Sequence, residues 1–109
     1  MELRAGTEDR VLTLFLSGEL DHHAAKDVLQ KMEFAIEREM PRQLVLNFAG
    51  ISFMDSSGIA VVMRAQRRMQ MLGGSAVVTH LPPQARKVLE AAGIGRWVNI
   101  RQEGSNESQ

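Results

Sequence analysis

Hydrophobic and polar positions near the start of the chain predict a pair of antiparallel strands. Residues 11–17 form a mostly apolar run that predicts a strand buried on both faces, and Gly18 is expected to end it. A shorter apolar segment centred on Leu3 precedes this run across a polar stretch at residues 6–10. The chain is therefore expected to begin with a β-hairpin.

Helical spacing of apolar residues follows at two places. Asp21 caps the first predicted helix and Pro41 ends it. Its buried stripe is expected to comprise Ala25, Val28, Leu29, Met32 and Ile36. The second helix covers residues 57–72 and ends at Gly73 and Gly74. Its buried stripe is expected to comprise Val62, Ala65, Met69 and Leu72.

Short apolar runs separate these helices and predict the remaining strands. Residues 44–48 are typical of a parallel strand covered on both faces, and residues 76–79 and 97–100 predict two more. A third helix lies between the last two strands, opened by a Pro-Pro pair and closed by Gly93. Because strands that alternate with helices imply right-handed crossovers, we expect an α/β fold with a mixed, mostly parallel sheet of about five strands and helices packed on it.

Composition indicates one domain and removes several classes of function. The 109 residues, 44% hydrophobic and 24% charged, suit a single domain at residues 1–102 with a flexible C-terminal tail at 103–109. Thirteen basic side chains balance thirteen acidic ones, so no overall basic field would attract nucleic acid or a membrane. The lack of cysteine excludes disulfides and thiolate chemistry and suits a reducing cytoplasm. No apolar run approaches the roughly 18 residues of a membrane span, so we expect a cytoplasmic protein.

The turn Asp55-Ser56-Ser57-Gly58, between a predicted strand and the second helix, is the first candidate site. A helix N-terminus offers unpaired N–H groups and the positive end of the helix dipole, so a phosphoserine at Ser57 would cost the fold little. Gly58 lowers helix propensity and suggests the close approach of a partner backbone. Asp and Ser are also ordinary helix caps, which leaves a purely structural interpretation open.

The segment at residues 18–23 is the second candidate, at the end of the first long strand. Asp21 and its neighbours are expected to share a sheet edge with Ser57 and to shape the pocket around it. Capping of the following helix explains Asp21 equally well. Adjacent histidines point away from each other on a helix, so His22 and His23 are not expected to bind a metal.

Enzymatic chemistry finds little support in the motifs. A Gly-x-Ser-x-Gly elbow is lacking, and the three histidines have no spacing that would place one beside Ser57. A phosphate-cradling Gly-x-x-x-x-Gly-Lys-Ser/Thr loop is also lacking. We expect a substrate of ATP chemistry, not an enzyme, with no cofactor and no metal.

Two surface features remain open at the level of sequence. Arg64, Arg67 and Arg68 share one predicted outward helix face, which is either a solvated surface or a contact for an acidic partner. Phe34 falls on the polar side of the first helix, either as an edge-of-core contact or as an exposed anchor.

Four segments carry a family resemblance. They are residues 18–23 (GELDHH), 44–47 (LVLN), 52–58 (SFMDSSG) and the Gly73-Gly74 pair. In their order and spacing the chain resembles, to about Arg101, the STAS-domain family and its anti-sigma factor antagonists. The Asp-Ser-Ser-Gly turn is shared by many of these antagonists, while residues 18–23 narrow the resemblance to the sporulation branch, which acts on the anti-sigma F factor.

The resemblance implies a single STAS domain that switches between partners. In this family the unphosphorylated antagonist binds an anti-sigma factor serine kinase and frees the sigma factor, which is thus regulated indirectly. The kinase phosphorylates the second serine of the turn, here Ser57, and a serine phosphatase restores the active form. Asp21, Asp55 and Ser56 match family positions close to that serine, and we add Gly58 as a residue of the partner-binding site.

One departure from the family and two alternatives accompany this hypothesis. Ile59 and Ala60 stand where the family has leucine and glycine, a change expected to leave the site intact while altering helix packing. A general stress-response antagonist would share the serine but answer to a different kinase. A nucleotide- or lipid-binding STAS module would act without phosphorylation.

Overall fold

The computed structural model describes residues 1–101. Its strands are β1 (Glu2–Glu8), β2 (Val11–Leu20), β3 (Gln43–Met54), β4 (Ser75–Thr79) and β5 (Asn99–Arg101). Its helices are α1 (His22–Glu39), α2 (Ser57–Met71) and α3 (Pro83–Ala91), with a 3-10 turn at Ile94–Arg96. The expected tail at 103–109 lies outside the described residues.

The five strands form one sheet in the order β1-β2-β3-β4-β5. Only β1 and β2 pair antiparallel, through a tight turn in which Asp9 and Arg10 both have positive φ. The three following pairs are parallel. The predicted hairpin and the mixed, mostly parallel sheet are therefore confirmed.

All three helices pack on one face of the sheet, because each crossover moves one strand further in the same direction. A single core joins this face to the helices, with Leu12, Leu14, Leu16, Met32 and Leu89 among its buried members. The predicted burial of residues 11–17 on both faces is wrong. Along β2 the leucines are buried, but Phe15 on the other face is 39% exposed, since no helix covers it.

Three predicted strand boundaries also need correction. β2 runs through Gly18 to Leu20, because Gly18 adopts a φ of 103° and absorbs an irregularity in register without ending the strand. β3 likewise extends from the predicted residues 44–48 as far as Met54. Trp97 precedes β5, since its N–H donates to the carbonyl of Ile94 and closes a local turn.

The helix termini follow the sequence closely. Met40, in the left-handed conformation, caps α1 directly before Pro41, and Gly73 with a φ of 76° follows the end of α2. Ile59 is half-buried against the core and Ala60 is exposed, so the departure from the family pattern is accommodated at the rim of the core.

Ion pairs join the outer faces of α1 and α2. Of the three arginines predicted to share an outward face, Arg64 and Arg68 donate to the two carboxylate oxygens of Glu33, at 2.8 and 2.6 Å. Partial burial opposes ionisation of Glu33, but these hydrogen bonds outweigh it and hold the pKa of Glu33 below its ordinary value. Two of the three arginines thus serve helix packing, and the face they share with Arg67 is not a free basic cluster.

Phe34 is an exposed residue. Its side chain is 64% exposed, and the guanidinium of Arg38 lies 5.6 Å from the ring centroid. Among the helices of residues 1–101, none combines the length and the apolar content that a membrane crossing requires.

Candidate functional site

Strands β2 and β3 bring the two candidate segments together at the carboxyl edge of the sheet. Leu20 pairs with Met54 at the ends of these parallel strands, and the Asp55 N–H donates to the Leu20 carbonyl at 3.2 Å. Asp21 and Asp55 therefore follow neighbouring strands at one edge, as the sequence predicted. Open α/β sheets generally carry their binding sites at this edge.

Three hydrogen bonds shape the turn that opens α2. Asp55 Oδ1 accepts the Ser57 N–H at 2.8 Å, and the Asp55 carbonyl accepts the Gly58 N–H at 3.1 Å. The Ser56 carbonyl accepts the Ile59 N–H, also at 3.1 Å. All three bonds use backbone groups or the Asp55 carboxylate. The turn is thus held without the hydroxyl of either serine. Ser56 is exposed and Ser57 is half-buried.

This geometry modifies the expected reason why the helix would tolerate a phosphate. The sequence suggested that unpaired N–H groups at the helix start would face it, but the first of these, on Ser57, is already bonded to Asp55. What remains is the positive end of the helix dipole. A phosphate on Ser57 would also lie close in sequence to a carboxylate, so like charges would meet at the turn.

Gly58 has an internal reason to be glycine. It is buried in the first turn of α2, and a Cβ at this position would overlap the Sδ and Cγ atoms of Met54, itself fully buried. The low helix propensity of glycine is therefore explained by packing within the domain. Its part in partner binding stays a prediction.

Gln84 binds the end of β3 next to the Ser57 turn, a contact that the sequence did not predict. From the first turn of α3, its Nε2 donates to the Met54 carbonyl and its Oε1 accepts the Met54 N–H, both at 2.8 Å. The Pro-Pro pair predicted the helix start but gave no sign of this contact. A glutamine near a proline pair has no characteristic partner, so only the tertiary structure reveals it.

Asp21 has a complete structural role at the start of α1. Its Oδ1 accepts the Ala24 N–H at 2.9 Å, and this bond holds the pKa of the Asp21 carboxyl below its ordinary value. His22 and His23 are exposed, with ring centroids 6.4 Å apart. Within residues 1–101 no group of three or more potential ligands is arranged to hold a metal ion.

The edge combines negative charge with exposed apolar surface. The ends of β2 and β3 contribute the carboxylates of Glu19, Asp21 and Asp55, and the first turn of α2 carries no charged residue. Phe53, directly before Met54, is 45% exposed. A partner that docks here would contact an aromatic ring beside an acidic turn, and the aromatic ring is a typical anchor of protein interfaces.

Comparisons with known proteins agree with this arrangement. The STAS domain family matches residues 2–105. The anti-sigma F factor antagonist of Lysinibacillus sphaericus is 36% identical over 91 residues, which cover 84% of this chain and 76% of that protein.

Two solved structures extend the similarity to three dimensions. The anti-sigma factor antagonist SpoIIAA in its unphosphorylated form has a TM-score of 0.81 at 30% identity, covering 97% of this chain and 91% of that one. The Bacillus cell fate determinant SpoIIAA in its phosphorylated form has a TM-score of 0.73, also at 30% identity, covering 97% and 95%. The chain therefore belongs to the STAS-domain family, among its anti-sigma factor antagonists.

Proposed function

We propose that this protein is a phosphorylation-controlled antagonist of the sporulation type. Its unphosphorylated form binds an anti-sigma factor serine kinase and frees the sigma factor that this kinase restrains. Phosphorylation of Ser57 ends the interaction, and a serine phosphatase restores it. The chain acts as a regulator and as a substrate, with no catalytic residue and no cofactor of its own.

The observation that carries this proposal is the bonding of the turn around Ser57. Because none of the three hydrogen bonds that shape it uses a hydroxyl, a phosphate can be added without removing a bond that holds the fold. The phosphate adds nearly two negative charges to an edge that already carries three carboxylates. A surface fitted to a neutral serine would then meet a strong desolvation and repulsion penalty.

The choice of the sporulation branch is supported by the relatives. The Lysinibacillus sphaericus protein is named as an antagonist of anti-sigma F factor, and SpoIIAA exists in phosphorylated and unphosphorylated forms. Asp21, Asp55, Ser56 and Gly58 shape the phosphorylation site in this proposal. Asp55 positions the amide of Ser57 directly.

The test mixes the protein with an anti-sigma factor serine kinase of the same organism and Mg-ATP, followed by intact-mass spectrometry and peptide mapping. We expect one added phosphate, on Ser57, with Ser56→Ala as a matched control that is still modified. In pull-downs with the kinase, Ser57→Ala should bind permanently and Ser57→Asp weakly. Equal binding of the parent and both variants would contradict the switch.

A negative result would also be informative. Modification by a stress-response kinase only would assign the protein to that branch. A folded protein that an active kinase leaves unmodified would favour the ligand-binding alternative, which thermal stabilisation by a nucleotide would then test.

A further inference from the structure

We propose that Gln84 is a positioning residue for phosphoryl transfer to Ser57, a role that rests on the function proposed above. Its carboxamide holds both backbone polar groups of Met54, the last residue of β3, and so fixes the strand end from which the Ser57 turn departs. Gln84 itself belongs to a different element, α3, whose first turn thereby controls the phosphorylation turn.

The carboxamide occupies the place of a missing strand. In a parallel pair the bonds of successive residues face opposite neighbours. The Asp55 N–H faces β2, where it meets the Leu20 carbonyl, so the polar groups of Met54 face the β4 side. On that side β4 ends at Thr79, which pairs with Asn47, seven residues before the end of β3. Gln84 supplies the donor and the acceptor that a longer β4 would have given.

Met54 passes this constraint to the turn by two routes. Its backbone continues into Asp55, whose carboxylate and carbonyl accept the N–H groups of Ser57 and Gly58. Its fully buried side chain packs against Gly58, where a Cβ would overlap its Sδ and Cγ atoms. Fixing the Met54 peptide therefore fixes the turn from the strand side and from the helix side.

Positioning of this kind matters for the reaction. The kinase must align the Ser57 hydroxyl with the γ-phosphorus of ATP, so that the new O–P bond forms as the bond to ADP breaks and the hydroxyl proton leaves to a base of the kinase. Catalysis of phosphoryl transfer depends mainly on alignment and electrostatics. The two hydrogen bonds between Gln84 and Met54 form a clamp on the strand end. Loss of this clamp should thus lower kcat more than it raises KM for this protein substrate.

The test compares Gln84→Met, which keeps the length and bulk of the side chain but removes both hydrogen bonds, with Lys87→Ala at another exposed position of α3. We expect kcat for phosphorylation to fall about tenfold in Gln84→Met with KM nearly unchanged, the size expected for two lost hydrogen bonds. Gln84→Ala should give the same division between kcat and KM, and Lys87→Ala should behave like the parent.

A second measurement needs no kinase. Amide hydrogen exchange of residues 54–58 should accelerate in Gln84→Met while the amides of the β2 core keep their protection. Unchanged exchange together with an unchanged kcat would overturn the proposal. A rise in KM alone would also overturn it, since Gln84 would then be a direct contact of the kinase. If the parent is not modified on Ser57, the proposed function fails, whereas accelerated exchange would still establish the clamp.

Discussion

The N-termini of α1 and α2 lie side by side at one edge of the sheet, yet they are built differently. At α1 the N-cap residue Asp21 accepts the Ala24 N–H with its own side chain. At α2 the N-cap is Ser56, whose side chain makes no capping bond, and the carboxylate comes from Asp55, one residue earlier. The same chemical task is thus moved by one position along the chain.

Because of this shift, the group that caps α2 is not one of the two serine hydroxyls. Because Asp55 takes over the capping task, the hydroxyls of Ser56 and Ser57 are not needed for the turn. At α1 the side chain at the helix start is committed to the fold. The serine hydroxyls at the start of α2 therefore make none of the bonds that hold the turn, whereas the start of α1 depends on an ordinary side-chain cap.

The largest contrast is expected at the second helical position, which is Gly58 in α2 and His23 in α1. Gly58→Ala should destabilise the protein by about 1 to 2 kcal/mol, because overpacking against the buried Met54 exceeds the gain in helix propensity. His23→Ala, at an exposed position, should stay within about 0.5 kcal/mol. Urea unfolding of both variants would measure this. A more stable Gly58→Ala would show that Met54 moves aside freely.

A smaller difference is expected between the two N-caps themselves. Asp21→Ala should lower the thermal midpoint, since it removes the bond to the Ala24 N–H. Ser56→Ala should leave stability within about 0.5 kcal/mol, because its hydroxyl makes no capping bond. Thermal unfolding followed by circular dichroism compares the two. An equal loss in both variants would mean that the serine hydroxyl does support the turn.

The sequence predicted the features that depend on local spacing. Apolar periodicity identified the first two helices within a residue or two, and a Pro-Pro pair with Gly93 identified the third. The cap at Asp21 and the hairpin also followed from rules for single elements. The order of strands and helices was enough to predict that Asp21 and Asp55 lie at one edge, because the carboxyl ends of parallel strands meet there.

Contacts between residues of different helices and strands were not predictable from the sequence. Helices on only one face left Phe15 exposed. Thr13, Phe15 and Ser17 alternate with leucines along β2, which is typical of a half-buried strand, but the apolar Phe15 among them made burial on both faces an equally open interpretation. The contact of Gln84 with Met54 spans 30 residues, and the pairing of Glu33 with two arginines of α2 spans 31 and 35. Single-element rules cannot select such partners.

The smallest loss of stability is expected when the ion pairs between α1 and α2 are removed, away from the capped helix starts. Glu33 lies in the middle of α1 and binds Arg64 and Arg68, whereas Glu37 approaches Arg68 only at 3.7 Å. At neutral pH, Glu33→Gln should destabilise the protein by about 0.5 to 1 kcal/mol, the range for pairs open to solvent, and less at high salt. Glu37→Gln serves as the control and should change stability less.

The pH dependence of the Glu33 ion pairs follows from the lowered pKa of Glu33. Its ordinary value is 4.5, and the folded protein holds the pKa below that. The ion pairs therefore contribute fully above pH 4.5, and their contribution disappears as the pH falls through the folded pKa. Urea midpoints of the parent and Glu33→Gln should converge over that acidic window, whereas the effect of Gly58→Ala, which involves no titrating group, should persist. If the two midpoints stayed a constant distance apart down to acidic pH, the neutral-pH loss in Glu33→Gln would come from packing of the side chain and not from its charge.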